Sequence, residues 1–212
     1  MKIAIVTDTH FGVRNDNRIL ATHINSFFDE QFIPYLDTMG IDHIIHLGDV
    51  CDRRKYINFV TSSQLEEHLI KPIHNRGINT DMIIGNHDCF YKNTNEINSM
   101  RQLYGHSFYN FNCYWEKPVE KNYDGLKVLL VPWICDDNYE VTMKAIEETD
   151  AQILMGHFEI QGFEMYRGAI NHHGLSKDIF SKFDMVLSGH FHHKSTHGNI
   201  SYLGSPYQMT WS

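Results

Sequence analysis

Five short polar motifs, each placed directly after an apolar run, constrain the fold of this chain more than any other feature. The apolar runs have the length and composition of buried β-strands. The motifs that follow them are DTH at 8–10, GDVCD at 48–52, GNHD at 85–88, GH at 156–157 and GHFH at 189–192. In an α/β sheet, side chains at the carboxyl ends of parallel strands meet at one edge. The sequence therefore predicts an α/β fold that gathers Asp, Asn and His residues at a single edge.

Strand-like and helix-like segments alternate along the chain, which favours a largely parallel central sheet. We predict strands at 3–6, 41–47, 80–84, 127–131, 153–155 and 185–187, helices at 17–37, 59–74 and 139–148, and a hairpin at 194–202. Pro34 predicts a kink or an early end of the first helix. The aromatic and Asn-rich segment 91–120 gives no clear pattern, and edge strands are one structure that fits it.

The length of 212 residues allows one sizeable core, so we expect a single domain over 1–212. No apolar stretch is long enough to cross a bilayer, and the first residues lack the pattern of a signal peptide, which predicts a cytoplasmic protein. Four cysteines without a CxxC pair argue against a disulfide framework. The chain stops abruptly, and we expect Tyr207 and Trp211 to be exposed apolar groups on a surface that a further segment covers.

The formal net charge of −8 counts against nucleic acid as a partner, because phosphate binding leaves a basic footprint. Two divalent cations would add four positive charges and bring this net charge to −4. Part of the acidity then belongs to metal ligands. The remaining negative charge predicts that this domain alone grips DNA weakly.

The donors in the five motifs indicate the class of metal. Mixed carboxylate and imidazole sets suit Mn²⁺, Fe²⁺, Co²⁺ or Zn²⁺, whereas an all-oxygen cage would suit Mg²⁺ or Ca²⁺. The number of candidate ligands fits two ions better than one, although spacing alone leaves open which ligand serves which ion. Two ions would activate a water for in-line attack on phosphorus and take up charge on the phosphate oxygens.

Other residues of the motifs have predicted roles around the metals. His87 is placed to act as a general acid or to stabilise charge in the transition state. Asp52 is predicted to orient His87 or a water on the substrate side, and Asp88 to hold the GNHD turn or to hydrogen-bond a metal ligand. We group both with His87 as the candidate catalytic residues. A basic run follows GDVCD and is predicted to contact substrate phosphate; its members are Arg53, Arg54 and Lys55.

The set DxH, GDxxD, GNHD, GH and GHxH resembles that of the calcineurin-like metallophosphoesterases along nearly the whole chain. The resemblance implies a four-layer α/β/β/α sandwich and two divalent ions, for which we expect Mn²⁺ with Mg²⁺, Fe²⁺, Co²⁺ or Zn²⁺ as alternatives. His87 matches the catalytic histidine of the family. The resemblance assigns the first ion to Asp8, His10, Asp49 and His192, and the second to Asp49, Asn86, His157 and His190.

Three longer segments resemble the nuclease subunit of SbcCD-type double-strand-break repair complexes, in particular the shorter form of T4-like phages. They are DTHFG with the long helix after it, GDVCDRRK, and GHFHHKSTHGNISYLGSPYQ. This resemblance implies a DNA exo- or endonuclease that works with an SbcC-like ATPase subunit and can form a homodimer. Such proteins usually carry a capping domain and an ATPase-binding segment after this turn, and we expect residues 1–212 to be the nuclease part without these regions. Some cellular members carry His in place of Asp52, linked to exonuclease action, which leaves the balance of exo- and endonuclease activity open.

Two other functions stay open. The GDxxDR run suggests a phosphoprotein phosphatase or a small-molecule phosphodiesterase of the same fold, although GNHD and YLGSP are more typical of the nucleases. The other is a catalytically idle scaffold, against which the complete ligand set argues. A single GH or DxH motif is weak evidence, and an Asn-His-Asp turn can be held by backbone hydrogen bonds alone. Five motifs in order, each after a strand, make a purely structural explanation improbable.

Overall fold

The computed structural model describes residues 1–105, 109–166 and 168–209, so Trp211 lies outside the described part of the chain. Its strands form a four-stranded sheet, a six-stranded sheet and a small separate hairpin. The strands are β1 Ile3–Val6, β2 His43–His46, β3 Asn79–Ile83, β4 Phe111–Tyr114, β5 Val119–Tyr123, β6 Leu126–Val131, β7 Ile153–His157, β8 Glu164–Tyr166, β9 Ala169–Ile170, β10 Met185–Gly189, β11 Ser195–His197 and β12 Ile200–Tyr202.

The first sheet is entirely parallel, with the order β1-β2-β3-β4. The second sheet has the order β11-β12-β10-β7-β6-β5, in which the four central strands are parallel and the two outer strands are antiparallel. The prediction of one central sheet is therefore wrong. The strands of both sheets carry apolar residues on both faces, so each sheet has to be covered on both sides. One side of each sheet packs against the other sheet.

Alternate residues of each strand face different cores, which defines four layers. In β2, Ile44 packs towards the helices while its neighbour Ile45 packs into the core between the sheets. In β6, Leu130 faces that same inner core, and Leu129 faces the helical layer on the other side. The order helix, sheet, sheet, helix confirms the predicted α/β/β/α sandwich.

In the described part of the chain, six α-helices, the short turn Val13–Asp16 and two 3₁₀ turns belong to the outer layers and the loops. The helices are α1 Arg18–Phe27, α2 Ile33–Met39, α3 Phe59–Leu65, α4 Lys71–Asn75, α5 Ser99–Tyr104 and α6 Tyr139–Glu148, and the 3₁₀ turns are Asp136–Asn138 and Lys177–Phe180. Helix α5 and strand β5 were not predicted, whereas edge strand β4 falls in the segment where edge strands were expected. Among the described residues, no helix combines the length and apolar character needed to cross a membrane.

The predicted early end at Pro34 is wrong, because a π-helical turn accommodates the proline. This turn, Phe28–Phe32, joins α1 directly to α2, which continues to Met39. A second π-helical turn, Glu66–Ile70, joins α3 to α4 just before Pro72. Proline lacks an N–H and its ring clashes with the carbonyl four residues earlier. A wider turn ahead of each proline relieves both problems and keeps the long helix continuous.

A buried carboxylate, Asp81, links the two sheets away from the metal motifs. It lies on β3, has no exposed surface and faces the space between the sheets opposite Ile45 in register. Its donors come from both sheets: His43 Nε2 at 2.9 Å, Asn112 Nδ2 at 3.0 Å and Tyr114 Oη at 2.8 Å on the first, and Tyr123 Oη at 2.6 Å and Lys121 Nζ at 3.4 Å on the second. Burial acts to raise the pKa of Asp81, but the hydrogen bonds of Tyr123 and Tyr114 outweigh it and hold that pKa below its usual value.

We expect Asp81→Ala to lower the free energy of unfolding by about 3–5 kcal/mol, because it leaves several buried donors without their acceptor. Urea unfolding at neutral pH measures this difference, with Asp150→Asn at an exposed ion pair as the matched control. Because the pKa of Asp81 is depressed, its contribution is present above the unfolded-state pKa and disappears as the pH falls. A loss below about 1 kcal/mol would contradict a linking role for Asp81.

Candidate metal centre

The carboxyl ends of five strands bring all seven predicted ligands to one site. Strands β1, β2 and β3 of the first sheet end at the DTH, GDVCD and GNHD loops, and β7 and β10 of the second sheet end at the GH and GHFH motifs. The first sheet supplies Asp8, His10, Asp49 and Asn86, and the second supplies His157, His190 and His192. The site therefore exists only where the two sheets meet.

The first group of donors comprises Asp8, His10 and His192, whose candidate ligand atoms lie within 4.8 Å of one another. Oxygen Oδ1 of Asp8 is 3.7 Å from Nε2 of His10 and 3.7 Å from Nε2 of His192. The backbone N–H of His190 donates to the Asp8 carboxylate at 3.1 Å and joins this group to the loop of the second sheet. These separations suit donors that share one cation.

The second group comprises Asp49, His157 and His190, again with ligand atoms within 4.8 Å of one another. Asn86 joins this group, because its Oδ1 lies 2.9 Å from Nδ1 of His190 and 3.1 Å from Nε2 of His157. An amide oxygen, a carboxylate oxygen and two imidazole nitrogens thus converge on one small space. This mixed set suits a borderline divalent metal.

Asp49 lies between the two groups. Its Oδ2 is 3.5 Å from Nε2 of His10 in the first group and 3.4 Å from Nε2 of His157 in the second. Its Oδ1 accepts the backbone N–H of His87 at 2.8 Å, which fixes the rotation of the carboxylate. Asp49 is the side chain placed to bridge two ions.

Two of the imidazole groups show how the rings are oriented for a metal. Nδ1 of His157 donates to the carbonyl of Leu47 at 2.8 Å, which leaves Nε2 for the centre. His10 is fully buried, yet neither of its ring nitrogens has a partner with hydrogen-bond geometry among the described residues. A buried nitrogen without a partner is costly. The residues therefore fit a divalent cation bound at this point.

Four of the candidate ligands have strained backbones. Asp8, His10, Asp49 and His190 have φ angles of 54°, 40°, 55° and 92°, in the left-handed region that side chains other than glycine seldom adopt. Each such residue costs about 1–3 kcal/mol and persists only where the surroundings enforce it. These four ligands are half of the eight residues other than glycine that have a positive φ among the described residues.

Two glycines allow the GDVCD and GNHD loops to come close enough. A Cβ at Gly48, which has a φ of 94°, would lie 2.4 Å from the backbone nitrogen of Gly85. A Cβ at Gly85 would lie 2.1 Å from Oδ1 of Asp49. Any side chain at either position would displace Asp49 from its place between the two groups.

The electrostatics of the site are those of a charge-balanced cluster. Burial acts to raise the pKa of Asp49, but the charge of His157 and then of His10 outweighs it and holds that pKa well below its usual value. Burial acts to lower the pKa of His10 and of His157, but the neighbouring carboxylates raise these values to about 10 and about 9. Burial and the adjacent His157 lower the pKa of His190 to about 3. Cations bound here would take the place of the protons on His10 and His157.

Asp88 was grouped with the catalytic residues, but its position gives it no access to a substrate. It has no exposed surface, and its carboxylate accepts the backbone N–H groups of both ligand loops. The donors are the N–H of Gly85 at 2.9 Å, Asp49 at 2.8 Å, Val50 at 3.1 Å and Cys51 at 3.2 Å, together with the hydroxyl of Ser99 at 3.1 Å. These contacts support the predicted role in holding the GNHD turn, and extend it to the GDVCD loop.

Asp52 lies beside His87 as expected, but with a different orientation. The backbone carbonyl of Asp52, not its carboxylate, accepts from Nδ1 of His87 at 2.5 Å. The carboxylate of Asp52 instead lies 3.3 Å from Nδ1 of His10. His10, Asp52 and His87 thus form a third close group of potential donors. A carboxylate behind a ligand imidazole orients the ring and makes it a better donor.

Two of the three basic residues predicted to contact substrate phosphate are already bound to other groups of the protein. The guanidinium of Arg53 pairs with Asp16 at 2.8 Å and binds Asn15 at 3.0 Å, in a left-handed turn just after the DTHFG segment. Arg54 donates to two backbone carbonyls of the segment after GNHD. Lys55 is exposed and is the member of the basic run whose charge faces solvent.

The comparison with known families decides the broad identity of the chain. The sequence pattern of the calcineurin-like phosphoesterases matches residues 1–194. The chain belongs to this family. The predicted membership of a metal-dependent phosphoesterase family is confirmed, and the divalent metal pair of the family agrees with the two groups of donors at Asp49.

A curated relative of this phosphoesterase is the exonuclease subunit 1 of Enterobacteria phage T4, with 34% identity over 211 residues. The match covers 99% of this chain and 60% of the relative, so the chain spans about three-fifths of that protein's length. Among solved structures, a hypothetical protein from Thermus thermophilus has 15% identity and a TM-score of 0.44, covering 97% of this chain and 75% of that one. An archaeal phosphodiesterase has 14% identity and a TM-score of 0.40, covering 97% and 84%. These two structural likenesses are too low to support any conclusion.

Several residues beside the phosphoesterase centre were not expected from the sequence. Tyr207 is buried rather than exposed, and its hydroxyl donates to the carbonyl of Thr9 in the DTH loop. The hydroxyl of Thr9 lies 3.2 Å from Nε2 of buried His46, whose Nδ1 accepts the N–H of Gly48 at 3.1 Å. The ring of Trp133 lies 5.2 Å from that of His190. The sequence held one signal for these contacts. His46 is a polar residue inside the apolar run before GDVCD.

We expect Asp49→Ala to remove bound metal and activity together, because both groups of donors lose their shared carboxylate. His87→Ala should retain the metals and slow hydrolysis of a chromogenic phosphodiester by about 10²–10⁴-fold, as expected for loss of a general acid. Metal content per chain, measured beside the rate on the same samples, distinguishes the two. An Asp49→Ala protein that is active without metal would contradict this assignment.

Proposed function

We propose that the chain is a two-metal-dependent phosphodiesterase that cleaves DNA. The observation that carries the proposal is the position of Asp49, with one carboxylate oxygen 3.5 Å and 3.4 Å from imidazole nitrogens of two separate donor groups. Such an arrangement suits in-line displacement at phosphorus, in which both the attacking and the leaving oxygen need positive charge nearby.

The proposed ligands of the first ion are Asp8, His10, Asp49 and His192, and those of the second ion are Asp49, Asn86, His157 and His190. We propose Mn²⁺ as the metal; the set combines oxygen donors with four imidazoles, which suits Mn²⁺ and also Fe²⁺, Co²⁺ or Zn²⁺. The two cations would neutralise charge on the phosphate oxygens and lower the pKa of a water for attack on phosphorus.

His87 is the proposed catalytic acid. A carbonyl oxygen can only accept a hydrogen bond, so the contact with the Asp52 carbonyl places a proton on Nδ1 of His87. Nε2 is then the nitrogen that faces the site, and in the doubly protonated imidazolium it carries the proton that His87 would donate to the leaving oxygen. The ring of His87 lies 4.9 Å from that of His10, which keeps it beside the first group of donors without making it part of that group.

The preference for DNA rests on the nuclease-like segments of the sequence and on the T4 relative, whose name is that of an exonuclease subunit. We propose that the chain acts with an SbcC-like ATPase subunit in recombination and repair, in the cytoplasm of a bacterial or phage-infected cell. The domain we propose is 1–212, the nuclease part of such a protein. The net charge of −8 fits a domain that needs a partner to hold DNA firmly.

The proposal includes a homodimer. Ile19 and Phe59, near the starts of α1 and α3, are 81% and 92% exposed, and Val60 beside them is 65% exposed. Thr61 donates to Asp16 at 2.7 Å and so holds the two helix starts together. Large apolar side chains exposed together mark an interaction surface. A second copy of the same surface is the proposed partner.

Two other functions are less well supported. A phosphatase or a small-molecule phosphodiesterase of the same fold is suggested by the GDxxDR run, but the GNHD and YLGSP segments are more typical of the nucleases. An idle scaffold would have no need of seven convergent donors or of four strained ligand backbones.

The test is cleavage of end-labelled linear single-stranded DNA and of circular single-stranded DNA by the purified chain with Mn²⁺. We expect the linear DNA to be cleaved, and cleavage to fall by about 10²–10⁴-fold in His87→Ala, which also controls for contaminating nuclease. Cleavage of the circle would show that no end is needed.

The opposite result is equally clear. If both DNAs stay intact while a chromogenic phosphomonoester is hydrolysed faster than a phosphodiester, the chain is a phosphatase and the nuclease proposal is wrong. Loss of every activity on adding a chelator is expected under either function, so it does not distinguish them.

A further inference from the structure

A groove with aromatic and basic walls lies beside the metal centre. We name it the aromatic groove and define it by Lys55, Tyr56 and Ile57 on one wall and Phe90 and Leu103 on the other. Its volume is about 160 Å³. The first wall continues the GDVCD loop, and the second combines Phe90, two residues after the GNHD turn, with Leu103 of helix α5.

The groove is close to the proposed reaction. Its first wall begins directly after Asp52, whose carboxylate lies 3.3 Å from His10 and whose carbonyl accepts from His87. An extended chain covers at most about 3.5 Å per residue, so Tyr56 lies no more than about 14 Å from Asp52. A DNA strand with its reacting phosphate at the centre would reach the groove within a few nucleotides.

The walls of the groove are held in place by the two arginines. Arg54 donates from Nε to the carbonyl of Cys89 at 2.8 Å and from its terminal nitrogen to the carbonyl of Tyr91 at 2.6 Å. Arg53 is anchored to Asp16 on the other side. Both guanidinium groups therefore support the groove, and its shape does not depend on a ligand.

The chemistry of the groove suits a flat ring attached to a negative charge. Tyr56 is 64% exposed, with the guanidinium of Arg53 4.8 Å from its ring centre. The ammonium of Lys55 lies 5.9 Å from the ring of Phe90, and none of the ion pairs found in the described part of the chain involves it. Tyr56 is therefore an exposed ring next in the chain to the exposed cation Lys55, and this combination is typical of surfaces that bind single-stranded nucleic acids.

We propose that the aromatic groove binds an unpaired base of the DNA strand next to the reacting phosphate, with Tyr56 stacking on the base and Lys55 contacting the adjacent backbone phosphate. This inference rests on the proposed nuclease function and adds to it a preference for unpaired DNA. The charge of the groove decides between occupants: a second copy of this chain would bring a second Lys55 and Arg53 to the same surface, whereas a nucleotide brings the opposite charge.

The test compares two fluorescent oligonucleotides of equal length, one of thymidines and one of abasic sugars, by anisotropy with Mn²⁺. All proteins carry His87→Ala so that the DNA stays intact. We expect Tyr56→Ala to weaken binding of the thymidine strand by about 5- to 100-fold and to leave the abasic strand unchanged. Tyr56→Phe should keep the affinity, since the ring remains. Tyr35→Ala removes an aromatic ring with 54% exposure elsewhere and is the matched control, with no effect expected.

Lys55→Ala has a different expected signature, because a phosphate contact is independent of the base. This substitution should weaken binding of both oligonucleotides alike. It should also reduce the slope of log affinity against log salt concentration by about 0.7. The proposal is overturned if Tyr56→Ala weakens binding of both oligonucleotides equally, or of neither. It is also overturned if this substitution separates a dimer into monomers without a loss of affinity that depends on the base. If the parent protein binds neither strand while the chain with His87 still hydrolyses a chromogenic phosphodiester, the DNA substrate itself is wrong.

Discussion

The rest of the site depends on the hydrogen bonds that the buried carboxylate of Asp88 accepts. It accepts backbone N–H groups from the GDVCD and GNHD loops and so holds the ends of β2 and β3 at a fixed separation. Asp49 belongs to one of these loops and Asn86 to the other. Because the spacing of two ions tolerates little error, a rigid support behind the ligands matters as much as the ligands. A buried acceptor of this kind supplies that rigidity without entering the reaction.

Without bound ions, the same site lowers the stability of the folded chain. Four ligand residues occupy left-handed backbone, and His10 buries two ring nitrogens that lack hydrogen-bond partners in the described part of the chain. The sheets must also keep their relative position, and Asp81 links them away from the motifs through donors from both. Cations that bind the folded chain would offset part of this cost, because ligand binding to the native state adds to its stability. Strain and metal affinity are therefore parts of one arrangement.

The sequence predicted the parts of the structure that short motifs and periodicity encode. Each motif does lie at the carboxyl end of a strand, and all seven proposed ligands converge, because parallel strands carry their carboxyl ends to the same edge. Contacts between distant segments could not be predicted. Nothing local indicates that Arg53 would pair with Asp16, or that Tyr207 would be buried with its hydroxyl on the carbonyl of Thr9. The helix predicted over 17–37 does continue through Pro34, but the π-helical turn that accommodates the proline was not predicted, because such a turn has no simple sequence pattern.

The central claim is that two cations bind on either side of the Asp49 carboxylate. Anomalous diffraction from crystals grown with Mn²⁺ tests it directly. The account predicts two peaks about 3.5–4 Å apart, one enclosed by Asp8, His10 and His192 and the other by Asn86, His157 and His190. A single peak, or a peak enclosed instead by His10, Asp52 and His87, the third close group of donors, would contradict it.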